Sequence, residues 1–186
     1  MAKAKTLKVL DTKSQDINQE FQHLIDSSKK SINKKIDPNL EKTLKKLNKK
    51  IQAEIKSSKA KKDTDSLIYL KFLKKVTKKF KKANNLLLSL KQTDSTFEEL
   101  DTLTELDILL SHLKKIVNKS AKKINTKKLE ADIEKIEEIE DQKIRVLMTY
   151  LMADWKNLEY VLSFMKLGET YKDIADDLLS IMLFKN

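Results

Sequence analysis

Glu20-Phe21-Gln22-His23 places a carboxylate and an imidazole three residues apart. On a helix that spacing puts both on one face, as in carboxylate-bridged di-iron bundles. Such a centre needs a second Glu-x-x-His and two more inward glutamates. The other histidine, His112, has Leu109 where the glutamate should stand, so the set is incomplete and no metal or cofactor is expected. A second cluster, Glu130, Asp132, Glu134, Glu137, Glu138, Glu140 and Asp141, is rich in oxygen ligands. Hard cations draw those ligands from a folded loop or from several elements. One helical run therefore reads as a solvated face, or as a face turned toward lysines.

Other chemistry fails for want of scarce residues. Phosphate-cradling loops and nucleophile elbows need several glycines, and the chain has only Gly168. There is no cysteine, which removes disulfides, thiolate metal sites and cysteine nucleophiles. Leu167–Ala175 resembles the opening helix of a helix-turn-helix, but Asp176–Phe184 supplies no turn and recognition helix after it. No catalytic residue is assigned, and the chain is expected not to be an enzyme. An enzyme without a recognisable motif is the remaining alternative in that class.

Lysine is what the chain has in excess. It carries 39 basic residues, of which only Arg145 is an arginine. Residues 1–92 hold 25 basic and 9 acidic side chains, a net of +16, while residues 93–186 hold 14 and 19, a net of −5. The positions are ordered as well. Lys71, Lys74, Lys75, Lys78, Lys79 and Lys82 step by three and one along a helix, opposite Phe72, Val76 and Phe80. Lys42, Lys45, Lys46, Lys49 and Lys50 repeat the pattern. Like charges four residues apart repel by a few tenths of a kcal/mol per pair, so local helix stability does not select these stripes.

The elements that carry these residues read as helices throughout. One glycine and one proline, Pro38, leave almost no turn chemistry for β hairpins. Apolar residues recur at helical spacing in Ile17–Ile36, Leu40–Ile55, Tyr69–Leu90, Leu100–Ile124 and Leu129–Met165. Asp37-Pro38, Asp63 or Asp65, and the capping boxes Ser95/Glu98 or Thr96/Glu99 mark helix starts. From 127 to Gly168 no breaker intervenes, so one helix with a kink near Glu140-Asp141 is expected. Gly168 is expected to end it, and Thr170 to cap a short last helix. The fold class is all-α, an elongated antiparallel, coiled-coil-like bundle of five to six helices. Residues 1–10 are read as a flexible basic tail. Residues 11–186 are read as one domain, with basic helices over about 13–92 and mildly acidic ones over about 95–186.

These features point to a non-enzymatic binding or scaffold protein that presents lysines to an anionic partner. Membrane phospholipid is favoured over nucleic acid, because planar arginine forks are what read guanine best. The plain alternative is that a compositional bias toward lysine fills a wet outer face, or that the 130–141 carboxylates pack near the lysines. A second reading uses the apolar region Ile144–Phe184, with Met148, Met152, Trp155, Tyr160 and Phe164, to dimerise or to dock a partner protein. A helical secreted bacterial effector is a third. No small-molecule substrate is indicated. Without a signal-peptide pattern or a run of 18 apolar residues, a cytoplasmic location is expected, with signal-independent export open.

Overall fold

The computed structural model describes residues 19–31, 39–92, 102–120, 126–153 and 155–185. Among these no strand occurs, and six α-helices pack against one another: α1 over 19–31, α2 Asn39–Ala60, α3 Thr64–Gln92, α4 Thr102–Ser120, α5 Thr126–Ala153 and α6 Leu158–Lys185. A single 3₁₀ turn, Trp155–Asn157, joins α5 to α6. The expected tail over 1–10, the Asp37-Pro38 start and the capping boxes before α4 lie outside the described residues.

Each helix forms because its apolar stripe has somewhere to go. In α2, Leu40, Leu44, Leu47, Ile51 and Ile55 recur every three or four residues and all are buried. Fully burying one such side chain contributes about 1.5–3 kcal/mol. That outweighs the few tenths lost to each lysine–lysine neighbour on the opposite face. Buried apolar side chains from all six helices join in one core. Within it α3 packs on both α2 and α6, and α5 on both α4 and α6. Helix α1 is threaded among the others. Its Phe21 stacks on Phe80 of α3 at 5.4 Å, and its Ser28 meets Tyr171 of α6. Asp26 pairs with Lys114 of α4, and Lys29 lies 3.1 Å from Asp107 of the same helix.

The α2–α3 turn is closed locally. Lys62 takes a left-handed φ of 54°, while Asp63 N–H donates to the Ser58 carbonyl at 3.0 Å, the long bond of a Schellman ending. Asp63 then caps α3: its Oδ1 accepts the Ser66 amide at 3.1 Å and its Oδ2 the Ser66 hydroxyl at 2.6 Å. Of the two candidate caps, Asp63 is the one used.

The second half differs from its expected layout in two places. Helix α5 runs unbroken through Glu140-Asp141, and the chain reverses at 155–157 rather than at Gly168. Gly168 lies in the interior of α6. The polar gap in the α5 stripe is no kink. It is an ion pair, Glu140–Lys143 at 2.8 Å, buried beneath α6 with Lys143 Nζ 5.3 Å from the Phe164 ring centroid. A Cβ on Gly168 would collide with Lys143 Nζ and both Glu140 oxygens. Glycine therefore sits there for close approach, although in a helix interior it costs roughly 1 kcal/mol against alanine. Burial pushes the Glu140 carboxyl above its ordinary range, against the pull of Lys143.

Removing one member of this pair strands a charge in the core. Lys143→Met alone is expected to lower stability by about 3–5 kcal/mol, whereas Glu140→Leu with Lys143→Met is expected to be neutral or stabilising. Chemical denaturation of the variants measures both. A raised carboxyl binds its proton more tightly when folded. Stability of the native chain should thus fall, on Glu140's account, as pH rises from about 4.5 through the higher folded value. The double variant should lack that slope.

Candidate anionic-surface and protein-interaction sites

The lysines of α2 and α3 divide into inward ones, whose ammonium groups reach a carboxylate of another helix although Lys46, Lys50 and Lys75 stay exposed, and outward ones that reach none among the described residues. On the inner flank of α2, Lys46 and Lys50 both reach Glu20 of α1, at 3.0 and 2.7 Å. Burial works to raise Glu20, but hydrogen bonds from Lys50 and Lys46 outweigh it and hold the carboxyl below its ordinary value. On the inner flank of α3, Lys75 lies 2.8 Å from Asp177 Oδ1 of α6. Lys79 sits 2.8 Å from the other oxygen of Asp177 and donates to the Asp173 carbonyl at 3.0 Å. Asp177 is only 9 % exposed, so this is a semi-buried two-to-one arrangement that ties α3 to α6. The hydrogen bond that Lys75 donates to Asp177, with the carboxylate's charge, raises the Lys75 ammonium above its ordinary range.

The remaining lysines face out. Lys42, Lys49, Lys71, Lys78 and Lys82 are exposed and Lys74 is half-buried. Among the described residues none of these six has a carboxylate within ion-pair distance. Lys45 is exposed too, and among the described residues its ion pair is with Glu41 on its own helix, at 2.7 Å. Glu41 also feels Lys81 of α3, so the outer rows of the two helices are neighbours there. An open depression of about 500 Å³ on α2 is lined by Glu41, Lys42, Lys45, Lys46 and Lys49. From Asn39 to Gln92 the hairpin carries 17 lysines against four acidic residues.

Among the described residues no ion pair joins the acidic run at 130–141 to these lysines. Glu137 pairs instead with Lys172 of α6 at 3.0 Å, and Glu140 with Lys143. The carboxylates that neutralise α2 and α3 are Glu20, Asp173 and Asp177, none of which the sequence pattern singled out for that role. Glu20 is therefore a lysine acceptor, while His23 beside it is exposed. No three His, Asp or Glu side chains among the described residues gather as a metal site would require.

The apolar candidates are scattered by the reversal at 155–157. Met148, Met152 and Trp155 are exposed, Tyr160 is half-buried, and Phe164 is fully buried against Tyr160 and Lys143. Phe164 thus belongs to the core and leaves the candidate interface. Leu158 and Leu162, absent from the sequence-based set, join the exposed group because they flank the turn. No described helix is long and apolar enough to cross a membrane.

Compared with models of protein families and with curated proteins, the chain matches none of either.

The inward and outward lysines should respond differently to neutralisation. Lys75→Gln with Lys79→Gln leaves Asp177 without its cations, and is expected to cost about 1–3 kcal/mol. Lys71→Gln with Lys78→Gln is expected to stay within about 0.5 kcal/mol of the parent. Thermal melts, where 1 kcal/mol is about 2–4 °C for a chain of this size, separate the two.

Proposed function

We propose that this protein is a non-catalytic binding protein that docks on an anionic membrane surface through the outward lysines of α2 and α3. The observation that carries this reading is the set Lys42, Lys49, Lys71, Lys74, Lys78 and Lys82, on two adjacent helices and without described carboxylate partners. The apolar faces of α2 and α3 are spent on the core, so neither helix lies in the bilayer as a free amphipathic helix. Contact is with headgroups.

Nucleic acid fits this face less well. Phe21, Tyr69 and Phe80 are buried and Phe72 half-buried, leaving the basic helices no exposed aromatic platform for bases. The single arginine, Arg145, lies on α5, away from the lysine rows. A lysine near an anionic leaflet contributes about 1 kcal/mol. Six such lysines sum to about 6 kcal/mol, an association constant on the order of 10⁴ M⁻¹. Adsorption of that strength is reversible, comparable to that of a single myristoyl chain.

Co-sedimentation with vesicles of phosphatidylcholine, with and without phosphatidylserine, tests the proposal. Binding is expected only with phosphatidylserine and should fade as salt rises. It should also drop at least about tenfold when Lys42, Lys49, Lys71, Lys78 and Lys82 become glutamine, with helicity unchanged. Salt-sensitive binding to a DNA or RNA duplex but not to vesicles would move the partner to nucleic acid. Absence of both would remove the anionic-surface reading.

A further inference from the structure

The exposed large hydrophobic side chains of the described residues are not spread evenly. Apart from Ile108, all lie between Met148 and Leu162, with Met152 88 % and Trp155 76 % exposed. Isolated exposed apolar residues are ordinary, but a contiguous group marks a surface that something covers.

Helical spacing puts this group in one valley. On α5, Asp141, Arg145, Met148 and Met152 follow at steps of four, three and four, so they form one row. On α6, Leu158, Leu162, Met165, Glu169, Lys172 and Asp176 form another by the same steps. The Glu137–Lys172 pair bridges the two helices at 3.0 Å and shows that these rows face each other across the outer side of the α5–α6 hairpin. The valley is therefore apolar at the hairpin tip and carboxylate-rich beyond it. From Leu158 to Asp176 it runs for roughly 27 Å, the length of an 18-residue helix.

The charge at the far end names the occupant. Lys172 is held above its ordinary range by its hydrogen bond to Glu137 and by the further charges of Glu137, Asp176 and Asp141. Burial raises the Asp176 carboxyl, and Glu137 and Asp173 raise it further against Lys172 and Lys79. Carboxylates thus outnumber cations in a valley on a chain whose net charge is +11. We propose that the α5–α6 valley docks a basic amphipathic helix of a partner protein, with its apolar residues on Met148, Met152, Trp155, Leu158 and Leu162 and its cations beside Glu137, Asp141 and Asp176.

Two features of the molecule fit that occupant. A valley between two antiparallel helices is the shape into which a third helix packs. Methionine side chains adapt to varied apolar partners, as in other helix-binding grooves. A second copy of this chain is a poorer match, because its own basic helices α2 and α3 have their apolar faces buried and offer no free basic amphipathic helix. This surface is separate from the lysine rows, and its test is independent of theirs.

Trp155 is the only tryptophan in the chain, so its emission reads coverage of the valley directly. The probe is a synthetic 18-residue helical peptide with leucines on one face and lysines on the other. Its control keeps the leucines and replaces every lysine with glutamate. Added to the full chain, the lysine peptide is expected to shift Trp155 emission to the blue, and the glutamate peptide to leave it unmoved. Met152→Ser, and separately Glu137→Gln with Asp141→Asn and Asp176→Asn, should each weaken binding about tenfold, the loss of one strong contact. These residues lie on the outer rows, and circular dichroism should show their helicity intact.

Four results would overturn the proposal. They are no blue shift with either peptide, equal binding of both, a blue shift produced by phosphatidylserine vesicles alone, and a concentration-dependent dimer by light scattering that Met152→Ser abolishes. The third would make the tip a membrane contact. The fourth would make it an interface between copies of this chain.

Discussion

A Cβ at Gly168 would push aside the ends of Lys143 and Glu140, and the packing of α6 on α5 follows from that close approach. The missing Cβ lets α6 close over Glu140 and Lys143, two charged residues that the apolar stripe of α5 could not otherwise carry inside. An ion pair this deep is weak support for stability, because desolvation offsets most of its attraction. Its effect is positional. With the notch opposite the pair, α5 and α6 fit in one register, and the reversal at 155–157 and the rows flanking it take their places from that register. The opposite flank of α6 carries Asp173 and Asp177 to α3. One helix thereby joins a buried pair on one side to a half-buried one on the other.

The charge asymmetry of the chain is resolved across helix boundaries rather than along them. Glu20 reaches from α1 to two lysines of α2, and Asp177 from α6 to two lysines of α3. In both places one largely buried carboxylate serves two ammonium groups, so part of the positive excess is consumed in holding helices together. The outward rows are what remains after that assignment. A compositional bias toward lysine accounts for lysines on outer faces, but it does not by itself select which four are paired inward.

Much of the architecture was legible in the sequence. The spacing of Leu40, Leu44, Leu47, Ile51 and Ile55 marked α2, and a near absence of glycine and proline excluded hairpin-rich sheets. The cap of α3 was narrowed to two aspartates, of which Asp63 proved to be the one used. Phe72, read as part of the apolar face, is only half-buried, while the step pattern of the α3 lysines kept them off the buried stripe. That pattern could not say which flank would meet α6, since that depends on how helices far apart in sequence pack. Gly168 was misread for a physical reason: a glycine that ends a helix and a glycine that admits a neighbour look alike in one dimension. The turn at 155–157 went unseen because it contains neither glycine nor proline, and Phe164 was taken for a surface residue because the reversal that buries it was not foreseen.

The α2–α3 turn carries a consequence of a different kind. Every hydrogen bond that closes it joins residues between Ser57 and Leu67. Closing so short a loop costs little chain entropy, and contacts of low sequence separation form early in folding. Asp177 lies 102 residues from Lys75, so the α2–α3 hairpin can close before α6 arrives with that carboxylate. Until then Lys75 and Lys79 lack their distant counter-ion. Helix α6 acts as an internal counter-ion, lowering the charge density of a hairpin whose turn is closed by its own local bonds.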